Sequence, residues 1–241
     1  MIQLQLAGSD KKIAINPSKI IAVGLNYRNH LLESKVYGER PLGVPDEPVI
    51  FAKTPNVLIA PGEAIVIPAH ISEYNFPEPR VDPECELAVI IGKRGRHIPP
   101  EKAFAHVLGY TCFNDVSQRN IQKTDPAGWY RCKSFDTFGP IGPVIVSHND
   151  IRDPQTLDIK CRINGVTKQS ANTMDMIFSV GVLISYISRQ FTLEEGDIIA
   201  TGTPAGVSPI VSGDTVEVEI ERIGILKNPV VLELSPRSGS A

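Results

Sequence analysis

A β-rich α+β fold with few short helices is what this sequence predicts, and three observations carry the prediction. The 241 residues include 20 prolines and 19 glycines, which cut the chain into short runs. Those runs are rich in Val and Ile, the residues that suit a half-buried pleated surface. Only "MDMIFSVGVLISYISRQ" is long and periodic enough to read as a substantial helix.

Taken in order, "IAINPSKIIAVGLNY" reads as two short strands around an Asn-Pro-Ser turn, and "RNHLLES" as a short helix. "SKVYGERPLGVPDEP" is turn-rich and polar. "VIFAKTPNVLIAPGEAIVIP" reads as strand, turn, strand, and "ISEYNFPEPRVDP" as a loop. "DPECELAVIIG" is the next strand. A short helix from Pro99 precedes a strand running through Tyr110 to Asn114, and "KTDPAGWYR" is loop. "GPIGPVIVS" is a strand, and "TLDIKCRINGVTKQSA" a hairpin turning at Asn164-Gly165. In the long helix, Met174, Ile177, Phe178, Val182, Ile184 and Ile187 approximate one apolar stripe. "DIIATGTPAG" and "GDTVEVEIERIG" close as strands, the second alternating Val with Glu as if one face met water. One domain over residues 1–234 is expected, with short strands in 1–19 and a disordered tail in 235–241.

Hydrophobic residues make up 42% and charged ones 21% of the chain, with a net charge of -3. That balance is ordinary for a globular protein and argues against a nucleic-acid binder, which would carry a basic stripe. No apolar run approaches a membrane span, and "MIQLQLAGSDKK" lacks the pattern of a secretory signal. Cys85, Cys112, Cys132 and Cys161 form no C-x-x-C pair, which suits free thiols in a reducing cytoplasm.

Candidate chemistry begins with Glu84 and Glu86. In a strand these share a face, about 6.5–7 Å apart along the backbone. Two like charges side by side need a holder, and a hard divalent cation is one; a solvated strand end is the other reading. Asp115, where a core strand ends, adds a third carboxylate, although Asp is also a common turn residue. Such oxygen ligands suit magnesium, manganese or calcium better than zinc. His30 and Glu33 are three apart on a helix, the spacing of a carboxylate-oriented imidazole base or of a surface ion pair. Lys133 fits an oxyanion partner or a snorkelling surface lysine. Thr201 and Thr203, in "TGTPAG", offer hydroxyls and amides to a carboxylate. Neither G-x-x-x-x-G-K-[ST] nor G-x-G-x-x-G occurs.

Together, "GLNYRNHLLES", "PVIFAKTPN", "DPECELAVIIGKRGR", "GYTCFNDVSQRNIQ", "CKSFDTFGPIGP", "GDIIATGTPAGV" and "GDTVEVEIERIGILKNPV" resemble the fumarylacetoacetate hydrolase family from about Ile20 to Pro229. The short chain resembles its smaller acylpyruvase and diketo-acid members. The resemblance implies a mixed β-sheet roll, homodimeric assembly, and magnesium or manganese at Glu84, Glu86 and Asp115. It implies a water-activating pair in His30 and Glu33, an oxyanion partner in Lys133, and substrate contacts at Arg119, Gln122 and Thr203. Tyr27 is placed at the pocket, and Lys53 matches a recurrent lysine. Segments after Glu33 and from Tyr74 to Pro79 are expected to close over substrate. The chain departs from the pattern at Leu25, where many members carry arginine.

The implied activity is metal-dependent hydrolysis of a carbon–carbon bond in 2,4-dioxo acids of the acylpyruvate type. Oxaloacetate decarboxylation, or isomerisation or tautomerisation of a 2-oxo diacid, would use the same metal-held enolate and is the alternative. A non-catalytic domain that keeps only the metal is the rival from another class. It is disfavoured because His30, Glu33 and Lys133 are all present.

Overall fold

The computed structural model describes residues 2–33 and 43–234, with the side chains of residues 32 and 33 excepted. The expected tail and the segment immediately after Glu33 lie outside the described residues. The strands are β1 (Ile2–Leu6), β2 (Lys12–Ile15), β3 (Ile20–Gly24), β4 (Val49–Lys53), β5 (Leu58–Ile59), β6 (Ile65–Ile67), β7 (Val81–Asp82) and β8 (Cys85–Ile91). They continue with β9 (Val107–Asn114), β10 (Ser117–Gln118), β11 (Gly139–Ser147), β12 (Asp158–Ile163), β13 (Val166–Asn172), β14 (Ile198–Ala200), β15 (Thr215–Ile220) and β16 (Gly224–Leu232). Four short α-helices are described: α1 (Arg28–Glu33), α2 (Arg119–Thr124), α3 (Tyr130–Lys133) and α4 (Val180–Gln190).

Nine strands form a mixed sheet ordered β2-β1-β11-β9-β8-β14-β3-β4, with β5 on β11; five more form β13-β12-β15-β16-β6. The expected β-rich α+β class is the observed one. At the centre, every residue of β8 is buried. It lies between β9 and β14, so a near-continuous apolar run is what both its faces require. β15 instead alternates half-buried and buried residues, matching its Glu and Val. Asn164 (φ 52) and Gly165 (φ 77) are both left-handed, as the tight turn between β12 and β13 needs.

Three sequence expectations are corrected. The long helix does not start near Met174, which is 68% exposed. A 3-10 turn at Thr173–Asp175 with its own capping box comes first. The amides of Ile177 and Phe178 then donate to the Asn26 backbone oxygen (2.7 Å) and side-chain oxygen (2.8 Å) instead of to a helical ladder. Only after Ser179, whose hydroxyl accepts from Val182 N, does α4 begin. Its buried face is Val180, Leu183, Ile184 and Ile187, while Val182 is exposed. Second, the proline-rich stretch read as loop holds a 3-10 helix at Ala69–Tyr74 and the strand β7. Third, α3 occupies the end of the "KTDPAGWYR" loop and carries Lys133 at its last position.

The β9–β11 contact is close because position 109 has no side chain. A Cβ on Gly109 would sit 2.3 Å from the Val146 carbonyl oxygen. Backbone cannot swing aside as a side chain can, so Gly109→Ala is expected to destabilise by about 1–3 kcal/mol, as overpacked cores do. A shift of the urea midpoint with unchanged m-value is the signature; a wild-type midpoint would show that the strands part freely.

Candidate active site

Strand pairing assembles the carboxylates. Cys85, the first residue of β8, lies opposite Asn114, the last of β9. Glu84 immediately precedes β8, so it and Glu86 flank Cys85 on the opposite face, and Asp115 follows β9. Asp115 N donates to Glu84 O at 2.9 Å, and Glu84 N to the Asn114 side-chain oxygen at 3.0 Å. One oxygen from each of Glu84, Glu86 and Asp115 therefore lies within 4.8 Å of the others, and all three residues are buried. Cys85 points into the apolar core, and its amide donates to Gln169 Oε1 at 3.0 Å.

Cations converge on the same place from three other elements. Lys133 Nζ lies 2.5 Å from Glu84 Oε2 and 2.6 Å from Asp115 Oδ2. Lys53, at the end of β4, lies 2.6 Å from Asp115 Oδ1, with both side chains wholly buried. Arg119, the first residue of α2, reaches Glu84 Oε1 at 2.5 Å through Nη2 and Gln122 at 2.9 Å through Nη1. Its Nε lies 2.8 Å from Asp82 Oδ2, and Asp82 Oδ1 receives Arg80 Nε at 2.8 Å.

Glu86 alone of the carboxylates has no cationic partner among the described residues. Among the described residues its carboxylate accepts one hydrogen bond, from Gly202 N, 2.8 Å from Oε2. Burial, and then the charges of Asp115 and Glu84, push its pKa well above the carboxylate range. Burial acts the same way on Glu84, but Arg119, Lys133 and His30 together outweigh it and hold that carboxyl well below the usual range. Burial works against the charge of Lys133, yet Asp115 and Glu84 raise its pKa above that of a free lysine. Lys53 goes the other way, lowered chiefly by its complete burial despite Asp115. The donor set, all oxygen and all buried with one uncompensated carboxylate, fits a hard divalent cation.

A cavity of about 440 Å³ opens onto these groups. Of the residues expected at a site, His30, Glu84, Glu86, Asp115, Arg119, Gln122, Lys133 and Thr203 line it. Leu25 is on the wall too, in a left-handed conformation (φ 60). Lys53 stands behind the wall, holding Asp115. Tyr27 is not on the wall: it is buried, bridges to Met176, and its hydroxyl has no hydrogen-bond partner among the described residues. The side chain of Glu33 lies outside the described residues. Thr203 is fixed by its own bonds, donating to Cys85 O at 2.9 Å and accepting from Gln169 Nε2 at 2.9 Å.

Several wall residues went unread in the sequence. Asp82 is two residues before Glu84, so the period-2 pattern that singles out Glu84 and Glu86 extends to it, across Pro83. Arg80, two residues earlier again, carries the same signal. Trp129 came from a stretch read as plain loop; it packs edge-on against Phe51 with ring centroids 5.1 Å apart. A Cβ on Gly24 would lie 2.4 Å from its ring, so the glycine gives the indole its seat.

A family model described as fumarylacetoacetate (FAA) hydrolase C-terminal matches residues 19–231. The mitochondrial oxaloacetate tautomerase of Xenopus laevis is 43% identical over 224 residues, 90% of this chain and 66% of that one. The 5-carboxymethyl-2-hydroxymuconate delta-isomerase of Mycobacterium smegmatis is 39% identical, with a TM-score of 0.78 over 91% of this chain and 78% of that one. The maleylpyruvate hydrolase of Sphingobium sp. SYK-6, solved with manganese(II) and pyruvate, is 36% identical, with a TM-score of 0.74 over 90% of this chain and 72% of that one.

Proposed function

Because this chain belongs to the fumarylacetoacetate hydrolase family, we propose that it interconverts the tautomers or double-bond isomers of a 2-oxo diacid, using a divalent cation held by Glu84, Glu86 and Asp115. The observation that carries the reading is the convergence of three buried carboxylates, one of them without a cationic partner, on a cavity whose wall also bears His30. This order reverses the ranking taken from the sequence motifs, which put hydrolysis first. Enolate chemistry needs only the groups gathered at the carboxylates and one proton carrier, whereas hydrolysis also needs an activated water.

A cation at these carboxylates would polarise the 2-oxo group and serve as the electron sink for the enolate. The protein's own groups do the rest. Gly202 N–H orients Glu86, and Arg119 and Lys133 keep Glu84 ionised and in place. Lys133 also presents its ammonium to the cavity, beside the oxygen on which enolate charge grows. His30 moves the proton: one leaves the enol oxygen and one is delivered to the adjacent carbon, while the carbon–carbon double bond becomes single and the carbon–oxygen bond becomes double. Trp129 and Phe51 cover part of the wall with apolar surface, which strengthens the charge interactions inside.

Hydrolysis of an acylpyruvate-type 2,4-dioxo acid is the second reading. The similarity to a maleylpyruvate hydrolase favours it, as does a cavity of about 440 Å³ whose wall bears His30. The two separate in one experiment on the purified protein with magnesium or manganese and again after chelation. Enol-oxaloacetate is followed by loss of its ultraviolet absorbance, and acetylpyruvate by proton NMR. Metal-dependent ketonisation, with deuterium entering carbon 3 in D2O and no pyruvate formed, is the expected result. Pyruvate and acetate from acetylpyruvate would establish the hydrolase, and full activity after exhaustive chelation would sink both readings.

A further inference from the structure

One file of alternating charges runs along the cavity wall and ends on Lys53 behind it. Arg80 contacts Asp82 (2.8 Å), Asp82 contacts Arg119 (2.8 Å) and Arg119 contacts Glu84 (2.5 Å). Glu84 then contacts Lys133 (2.5 Å), Lys133 contacts Asp115 (2.6 Å) and Asp115 contacts Lys53 (2.6 Å). The file holds four cations and three carboxylates, and Glu86, which stands outside it, is the fourth carboxylate that balances them. A divalent cation added to that balance leaves the site two positive charges in excess, and Lys123 on the wall adds a third. Such a surplus in a low-dielectric cavity favours a dianion over a monoanion.

The cations are not equally available. All three nitrogens of Arg119 are engaged by Asp82, Gln122 and Glu84. Lys133 has two of its three donors on carboxylates, and Lys53 is sealed behind the wall. Arg80 differs. Its Nε is pinned by Asp82, its Nη2 reaches only a backbone oxygen, that of Val207 at 3.5 Å, among the described residues, and its side chain is 45% exposed. The guanidinium thus keeps a free edge at the cavity while Asp82, wholly buried, fixes its direction. A fixed, planar fork of N–H groups is what bidentate recognition of a carboxylate requires. Lys123 is exposed and has no such anchor.

We propose that Arg80, steered by Asp82, binds the carboxylate of a 2-oxo diacid that lies farther from the 2-oxo group, so that the preferred substrates of this site are dianions. The inference rests on the 2-oxo-acid reading above and adds the residue that selects among 2-oxo acids.

A matched pair of ligands tests it: 2-oxoglutarate and 2-oxopentanoate share a chain length and differ by a carboxylate against a methyl. Calorimetric Kd values are measured for both, with manganese and without, on wild type, Arg80→Gln, Arg80→Lys and Lys123→Gln. Wild type is expected to prefer the diacid by about tenfold or more. Arg80→Gln should abolish that preference while leaving the 2-oxopentanoate Kd within about twofold. Arg80→Lys, which keeps the charge and loses the fork, should fall between. No preference in wild type, a preference that survives Arg80→Gln, or one that disappears in Lys123→Gln instead would overturn the assignment. Diacid binding that depends on Arg80 but is indifferent to manganese would leave Arg80 in its role and overturn the metal-enolate reading.

Discussion

Glu86→Gln is expected to reduce turnover by about a thousandfold and to weaken divalent-cation binding, without weakening the fold. The substitution is isosteric and keeps an oxygen to accept from Gly202 N. It removes the one carboxylate in the cluster that no cation among the described residues pairs with. A metal electron sink supplies several kcal/mol of transition-state stabilisation, and each 1.36 kcal/mol is tenfold in rate, so a loss of about three orders of magnitude follows. Stability should move little or rise, because Glu86 is buried against Asp115 and Glu84 and its charge is opposed by both. Manganese titration by calorimetry, steady-state turnover and thermal unfolding of the same preparation check the three parts. Unaltered manganese affinity in the variant would remove Glu86 from the ligand set.

Lys53→Met should have the largest effect on stability. Lys53 and Asp115 form an ion pair whose two side chains are completely buried. Breaking such a pair from one side typically costs about 3–5 kcal/mol, because the remaining charge stays desolvated. Lys133 still faces Asp115 at 2.6 Å, which places the expected loss toward the lower end of that range. The double variant Lys53→Met/Asp115→Asn should recover a substantial part, since it removes the orphaned charge as well. Urea unfolding of the two variants and wild type gives the comparison. A single-variant cost below about 1 kcal/mol would mean that water or a shifted neighbour reaches Asp115, contrary to the sealed packing.

The central part of this site was legible in the sequence because strand physics makes it so. Period 2 puts Glu84 and Glu86 on one face, and a carboxylate at the end of a neighbouring strand falls beside them if the strands pair antiparallel. Asp115 met that condition. Asp82 and Arg80 carried the same alternation but sat behind Pro83 in a stretch whose prolines argue for loop; the two-residue pairing of β7 with β10 is too short to leave a periodic trace. Lys53 had no readable role because its partner is 62 residues away. The long helix was misjudged for a related reason. Its apolar residues continue upstream of Ser179, but the Asn26 side chain, 152 residues distant, takes the Phe178 amide that a longer helix would have used. Local pattern records which face is apolar; it does not record which distant side chain competes for a backbone bond.

The arrangement of the charged file also bears on how the molecule folds. Its members come from the end of β4, from β7 and the residue before it, the start of β8, the end of β9, and the helices α2 and α3, so every pairing except the local one between Arg80 and Asp82 joins residues 18 to 62 positions apart. Sequence-distant contacts of this kind are slow to gain and belong to the late stages of folding. Interactions completed after the rate-limiting step change the unfolding rate and leave the refolding rate nearly untouched. Whatever ion or substrate the finished cavity holds therefore acts as a brake on opening, lengthening the lifetime of the native state without guiding its formation.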